Sequence, residues 1–192
     1  MITQRGRSAG RAALVLLLLA DVGTSMAQGQ KAPGEDKYAL KVPGGLAFAE
    51  FKGYETWQVI SVSQGGPHLA VIVGNQQMID AFKAGIPDNG KPFPDGARMA
   101  KVHYVPKTHA IFPTAKVPAL LHDVDFMVKD SKRFRDSGGW GYAAFIYDTA
   151  TGKYRPGNTT DTPPQANDAK CGAACHSVVQ KRDYVFTYYQ PR

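Results

Sequence analysis

Six residues near the C-terminus, Cys171-Gly172-Ala173-Ala174-Cys175-His176, restrict this 192-residue chain more than any other stretch. Two thiols about one helical turn apart can form thioethers to the two vinyl groups of a haem, and the adjoining imidazole then reaches the iron as its proximal ligand. The common attachment motif has two residues between its cysteines; this one has three. Two other readings stay open. A local disulfide would strain so short a loop, and the thiols could have no shared role; no third cysteine is present to pair with either. On the haem reading, Cys171 and Cys175 hold one covalently bound haem c and His176 is the iron ligand. The motif is expected on a short helix from about Asn167 to Val179.

The N-terminus supports that reading from another direction. Residues 1–27 have the three parts of a secretory signal: Arg5, Arg7 and Arg11, then the apolar run Ala12 to Ala20, then small residues ending Ser25-Met26-Ala27. Cleavage after about Ala27 is expected, leaving a periplasmic chain of residues 28–192. Covalent haem attachment takes place on the outer side of the bacterial inner membrane, so the leader and the cysteines agree. The apolar run is about half of what a bilayer span needs, and no stable membrane insertion is expected. Removing the leader's three arginines and Asp21 lowers the formal charge from +7 to +5. The remaining Lys and Arg are scattered, which gives no phosphate-tracking stripe and excludes nucleic acid as a partner. A length near 165 residues makes one domain.

Along the chain, 28–38 reads as a loose opening segment. Thr56 to Ser63 and Leu69 to Gly74 are rich in β-branched residues and flank Gln64-Gly65-Gly66-Pro67, the pattern of a hairpin. Asn75 is placed to cap a helix running to about Ala84, with Met78, Ile79 and Phe82 on one face and Gly85 as its stop. The Pro- and Gly-rich run Ile86 to Gly96 is a loop. Arg98 to Val105 is the next strand, and alternation puts Met99, Lys101, His103 and Val105 on one face. Leu120 to Lys129 alternates again, with His122, Val124, Phe126 and Val128 opposite Asp123, Asp125 and Met127; the acidic face reads as solvent. Gly138 to Tyr147 is an aromatic strand, Thr151 to Ala166 a polar surface loop, and Asp183 to Tyr189 strand-like or extended. This order predicts an α+β fold, a mostly antiparallel β-sheet with a few flanking helices and the haem-binding helix near the C-terminus.

Four pieces, in this order, resemble the cytochrome P-460 family: Phe93-Pro94-Asp95-Gly96 leading to Ala100-Lys101, Met127 to Lys132, Gly138-Gly139-Trp140-Gly141, and the cysteine motif continuing to Arg182-Asp183-Tyr184-Val185-Phe186-Thr187. The resemblance implies a periplasmic c-type cytochrome, often a homodimer, whose five-coordinate haem takes small nitrogen compounds on its open side. In the namesake proteins a lysine on the strand after the Asp-Gly turn is joined covalently to the porphyrin, and hydroxylamine is oxidised to nitric oxide or nitrous oxide. By that match the lysine is Lys101, with Lys107 as the fallback. Relatives of the c′-β type lack the cross-link and bind nitric oxide. This chain keeps the lysine, but Leu69 to Gly74 holds no arginine where hydroxylamine-oxidising members place one; His68 stands at its edge.

The chemistry needs a proton acceptor near the open face of the iron, and the candidates are His103, on the strand face of Lys101, then His68 and His109. A solvated role for each remains open, as does one for Lys101. Pure electron transfer would instead need a second axial ligand, for which Met78, Met99 and Met127 are available. The expected partners are hydroxylamine or a nitrogen oxide and a soluble cytochrome as redox partner. Asp183 is a candidate to hydrogen-bond the second nitrogen of His176, with a backbone carbonyl as the alternative.

Overall fold

Antiparallel hairpins repeated along the chain build the protein. In the computed structural model, six strands pair in the order in which they occur: β1 (Gln58–Gly65), β2 (His68–Gly74), β3 (Arg98–Thr108), β4 (Lys116–Lys129), β5 (Trp140–Asp148) and β6 (Lys153–Pro156). The structure describes residues 36–40, 42, 45–157 and 169–191. The leader and the start of the expected haem helix lie outside them. No helix among the described residues is long and apolar enough to cross a membrane.

The local signals act as read. Gly66 takes φ +55° in the turn between β1 and β2, a conformation without penalty only for glycine. Asn75 caps helix α1 (Gln76–Lys83) by accepting the amide of Met78, and the same oxygen accepts the amide of Arg98. One side chain thus sets the start of α1 and the start of β3. Helix α2 (Ala169–His176) ends in a 3₁₀ turn, Ser177–Arg182, and 185–191 runs on without regular structure rather than as a strand. β6 lies inside the stretch read as a polar loop. As an edge strand paired only to β5, it has no second neighbour to demand apolar residues.

The two sheet faces are covered differently. On one, Val73, Ala100, Phe126 and Ala143 form a cross-strand row, and Val71, Val102, Val124 and Phe145 form the next. Short 3₁₀ turns at Lys37–Ala39, Phe48–Phe51 and Tyr54–Thr56 close this face. Phe48 meets Phe145 at 4.6 Å between ring centroids, and Phe51 stacks on Phe126 at 4.0 Å. Full burial of each phenylalanine is worth about 1.5–3 kcal/mol. On the other face, Ile72, Met99, Met127 and Tyr142 pack with Met78 and Ile79 of α1 and with Phe93, Trp140 and Val185. Met78, Met99 and Met127 are all buried core residues.

The four stretches that carry the family likeness meet at one buried polar knot on this second face. Lys129, 5 % exposed, donates to an Asp183 carboxylate oxygen at 2.7 Å and to the Gly138 carbonyl at 2.9 Å. The second Asp183 oxygen accepts the Phe93 amide, and its carbonyl accepts the Trp140 indole N–H. Nearby, the Asp95 carboxylate accepts both the amide and the hydroxyl of Ser131. Gly138, at φ +67°, lies so close to Tyr184 that a Cβ there would sit 2.0 Å from the ring. Asp183 and Tyr184 themselves take φ +47° and +64°, a left-handed pair held by these bonds.

Candidate functional site

Between the second sheet face and the C-terminal segment lies a cavity of about 420 Å³, within the range usual for cofactor pockets. Its floor is one cross-strand row: Ser61 on β1, Ile72 on β2, Lys101 on β3, Asp125 on β4 and Ala144 on β5. Met99, Met127 and Tyr142 form the deeper apolar row, and α2 with the tail contributes His176 and Phe186. Helix α2 sits close on β5: a Cβ on Gly172 would meet Tyr142 at 2.7 Å.

His176 has the surroundings of a ligand. Its Nδ1 is 2.7 Å from the Tyr184 carbonyl, the backbone partner rather than Asp183, whose carboxylate is committed to the knot. That bond orients the ring and leaves Nε2 available, as in metal-bound histidines generally. Tyr142 and Phe186 flank the imidazole at 5.2 and 5.0 Å. Burial pushes its pKa below the ordinary value, the Tyr184 carbonyl opposes this, and the charge of Lys101 adds to the lowering. The neutral ring with a basic nitrogen is therefore favoured. Cys171 and Cys175 both lie exposed on α2.

Lys101 is exposed and lines the cavity, whereas Lys107 lies beyond it on the β3–β4 arm. Asp125, directly opposite Lys101, also faces the cavity. The face read as solvated is thus the cavity side of β4, because Met127, which alternates with the two aspartates, points into the core. Asp123 is one row behind: it bonds His103 Nδ1 with one oxygen and His122 Nδ1 at 2.6 Å with the other. Burial alone would raise the Asp123 pKa, but hydrogen bonds and charge from the two histidines hold it below the usual carboxylate value.

Among the expected proton acceptors, His103 does not line the cavity but lies 3.7 Å from the Asp125 carboxylate. His68 packs against His122 at 4.2 Å, and His109 accepts the amides of Ile111 and Phe112 in its own turn. Trp140 is in the knot and Phe145 on the far face, so of the aromatics on β5 it is Tyr142 that reaches the cavity.

The residues present fit a haem. An imidazole, two neighbouring thiols on the helix that closes the cavity, and a largely apolar wall are the donor set and surroundings such a group needs. The buried Tyr142 hydroxyl, which has no hydrogen-bond partner among the described residues, marks where a polar ligand atom would be accommodated. No curated protein sequence matches the chain. The sequence model of the family described as Cytochrome P460 matches residues 51–187, from the aromatic cover of the sheet through the knot and the cysteine helix to the tail. The chain belongs to the cytochrome P460 family, and the family implies a haem cofactor.

Proposed function

We propose that the protein is a periplasmic c-type cytochrome with a single haem that oxidises hydroxylamine to nitric oxide or nitrous oxide and passes the electrons to a soluble redox partner. In this reading Cys171 and Cys175 hold the haem by thioethers, His176 is the proximal ligand and Lys101 is joined to the porphyrin. The observation that carries it is the arrangement of Lys101 and Asp125 on the floor of the cavity that also takes His176.

Bound haem supplies an open coordination position for the substrate nitrogen and an iron that accepts its electrons. The protein's own task is the protons that leave with those electrons. Asp125 is the carboxylate on the cavity wall that would take the proton, and His103, whose Nδ1 is 3.7 Å behind it and hydrogen-bonded to Asp123, holds the two carboxylates in one network. Tyr184 fixes the His176 ring, while Phe186 and Tyr142 restrict its tilt.

The optical spectrum and intact mass of wild type and Lys101→Ala test this directly. A cross-linked haem absorbs well to the red of an ordinary c-type haem; the variant returns to the ordinary position and loses hydroxylamine turnover with an artificial acceptor. Ordinary spectra in both proteins would overturn the cross-link, and nitric oxide binding without turnover would move the assignment to a c′-β-type protein. Asp125→Asn is expected to lower kcat by about 100-fold and flatten its pH profile, the size usual for a lost general base.

A further inference from the structure

Behind the cavity, β3 and β4 assemble a group of side chains that the haem reading leaves only partly used. His103 and Asp123 are a direct cross-strand pair, and Asp125 is the next residue on the same face of β4. One donor atom from each of His103, Asp123 and Asp125 lies within 4.8 Å of the others, and His103 Nδ1 is 3.7 Å from an Asp125 oxygen. Two donors bound at ~2.1 Å to a tetrahedral ion are ~3.4 Å from each other, a spacing His103 and Asp125 nearly have, whereas the directly hydrogen-bonded His103 and Asp123 would have to open to admit the ion between them.

A second observation comes from the register. β3 pairs His103 with Asp123 and then Tyr104 with Leu121, so His122 is the extra residue of a β-bulge. Strict alternation would send its ring to the aromatic face. The bulge brings it instead to the outer oxygen of Asp123 at 2.6 Å, and His68 at the start of β2 packs against it at 4.2 Å. Bulges commonly re-aim a side chain beside a functional site. A histidine holding the non-ligating oxygen of a metal-bound carboxylate is the arrangement that outer-shell partners adopt.

We propose that His103, Asp123 and Asp125 form a binding site for a divalent first-row transition ion, with zinc as the best fit, supported by His122 and His68. One imidazole with two carboxylates suits zinc, and the site leaves a fourth position to water. His103 binds through Nδ1 and keeps its proton on Nε2. The site is separate from the haem iron and stands whether or not hydroxylamine is the substrate. It meets the cavity through Asp125 alone, so an ion there takes the carboxylate that faces Lys101 and competes with its role as proton acceptor.

The test uses the haem-loaded protein, stripped of loose metal with a chelator and dialysed against zinc, with iron measured in the same sample as the count of chains. One zinc per iron is expected in wild type and in His109→Ala. His103→Ala and Asp125→Asn should each weaken binding by at least tenfold, and His122→Phe, which leaves the three ligands in place, by about 10- to 100-fold. Asp125 is partly exposed, so its variant keeps the test valid if His103→Ala does not fold. No zinc in wild type, equal binding in Asp125→Asn, or loss in His109→Ala overturns the site. The haem spectrum, read in parallel, judges the proposed function separately.

Discussion

Two lysines meet aspartates on the same side of the sheet, and their surroundings differ in nearly every respect. Lys129 and Asp183 are buried, with side chains 6 % and 11 % exposed, and are tied to Gly138, Phe93 and Trp140. Lys101 and Asp125 are opposite one another at the floor of the cavity and face open space. Removing two charges from water is costly and is offset only where every remaining donor and acceptor finds a partner, which describes the first pair. The second lines the cavity and is not enclosed. The difference separates a fastening that holds motif residues together from a pair on the cavity floor.

The comparison breaks most visibly at Lys129. Lys129→Ala strands a buried carboxylate and should lower unfolding free energy by about 3–5 kcal/mol in urea titration; a loss under 1 kcal/mol would show the knot to be dispensable. Gly138→Ala forces a Cβ against Tyr184 at positive φ, and a cost of about 1–3 kcal/mol is expected by the same measurement. Lys101→Ala should change stability by no more than about 0.5 kcal/mol while altering the haem spectrum, the reverse of Lys129→Ala. A double-mutant cycle sharpens the contrast: coupling above about 1 kcal/mol between Lys129 and Asp183, and below it between Lys101 and Asp125.

The smallest effect lies at the edge of the knot. Hydrogen bonds from the Ser131 hydroxyl and amide hold the Asp95 pKa below the ordinary carboxylate value. A depressed folded-state pKa means stability present above the unfolded value near 4 and lost as pH falls through the folded one. Asp95→Asn should flatten that acid limb. Solvent screening keeps the effect below about 1 kcal/mol, and an unchanged limb would remove Asp95 from the account.

Features with local causes were legible in the sequence. The Gly66 turn, the Asn75 cap, the alternation through β3 and the Cys171 to His176 motif each depend on residues a few positions apart. The aromatic cover was not, because Tyr38, Phe48, Phe51 and Tyr54 follow no period and acquire meaning only against Phe126 and Phe145 across the sheet. Asp123 and Asp125 were assigned to the right set of alternating residues but the wrong environment. Alternation says which side chains share a face and not which face is covered; Met127 in that set was the usable clue. His122 escaped because a bulge shifts its register, which no pattern along one strand can show.

The strict neighbour-to-neighbour strand order has a consequence for timing. Each strand of the meander pairs with the one made just before it, so apart from the link that holds α1 each step closes a short loop at small entropic cost, and such local contacts form fast. Helix α2 and the tail come last in the chain and dock onto a sheet that needs nothing further from them to pair. The exposed thiols of Cys171 and Cys175 therefore sit on the last segment to dock. The closing bonds of that segment, Lys129 to Asp183 and His176 to the Tyr184 carbonyl, tie it back to the sheet and to α2.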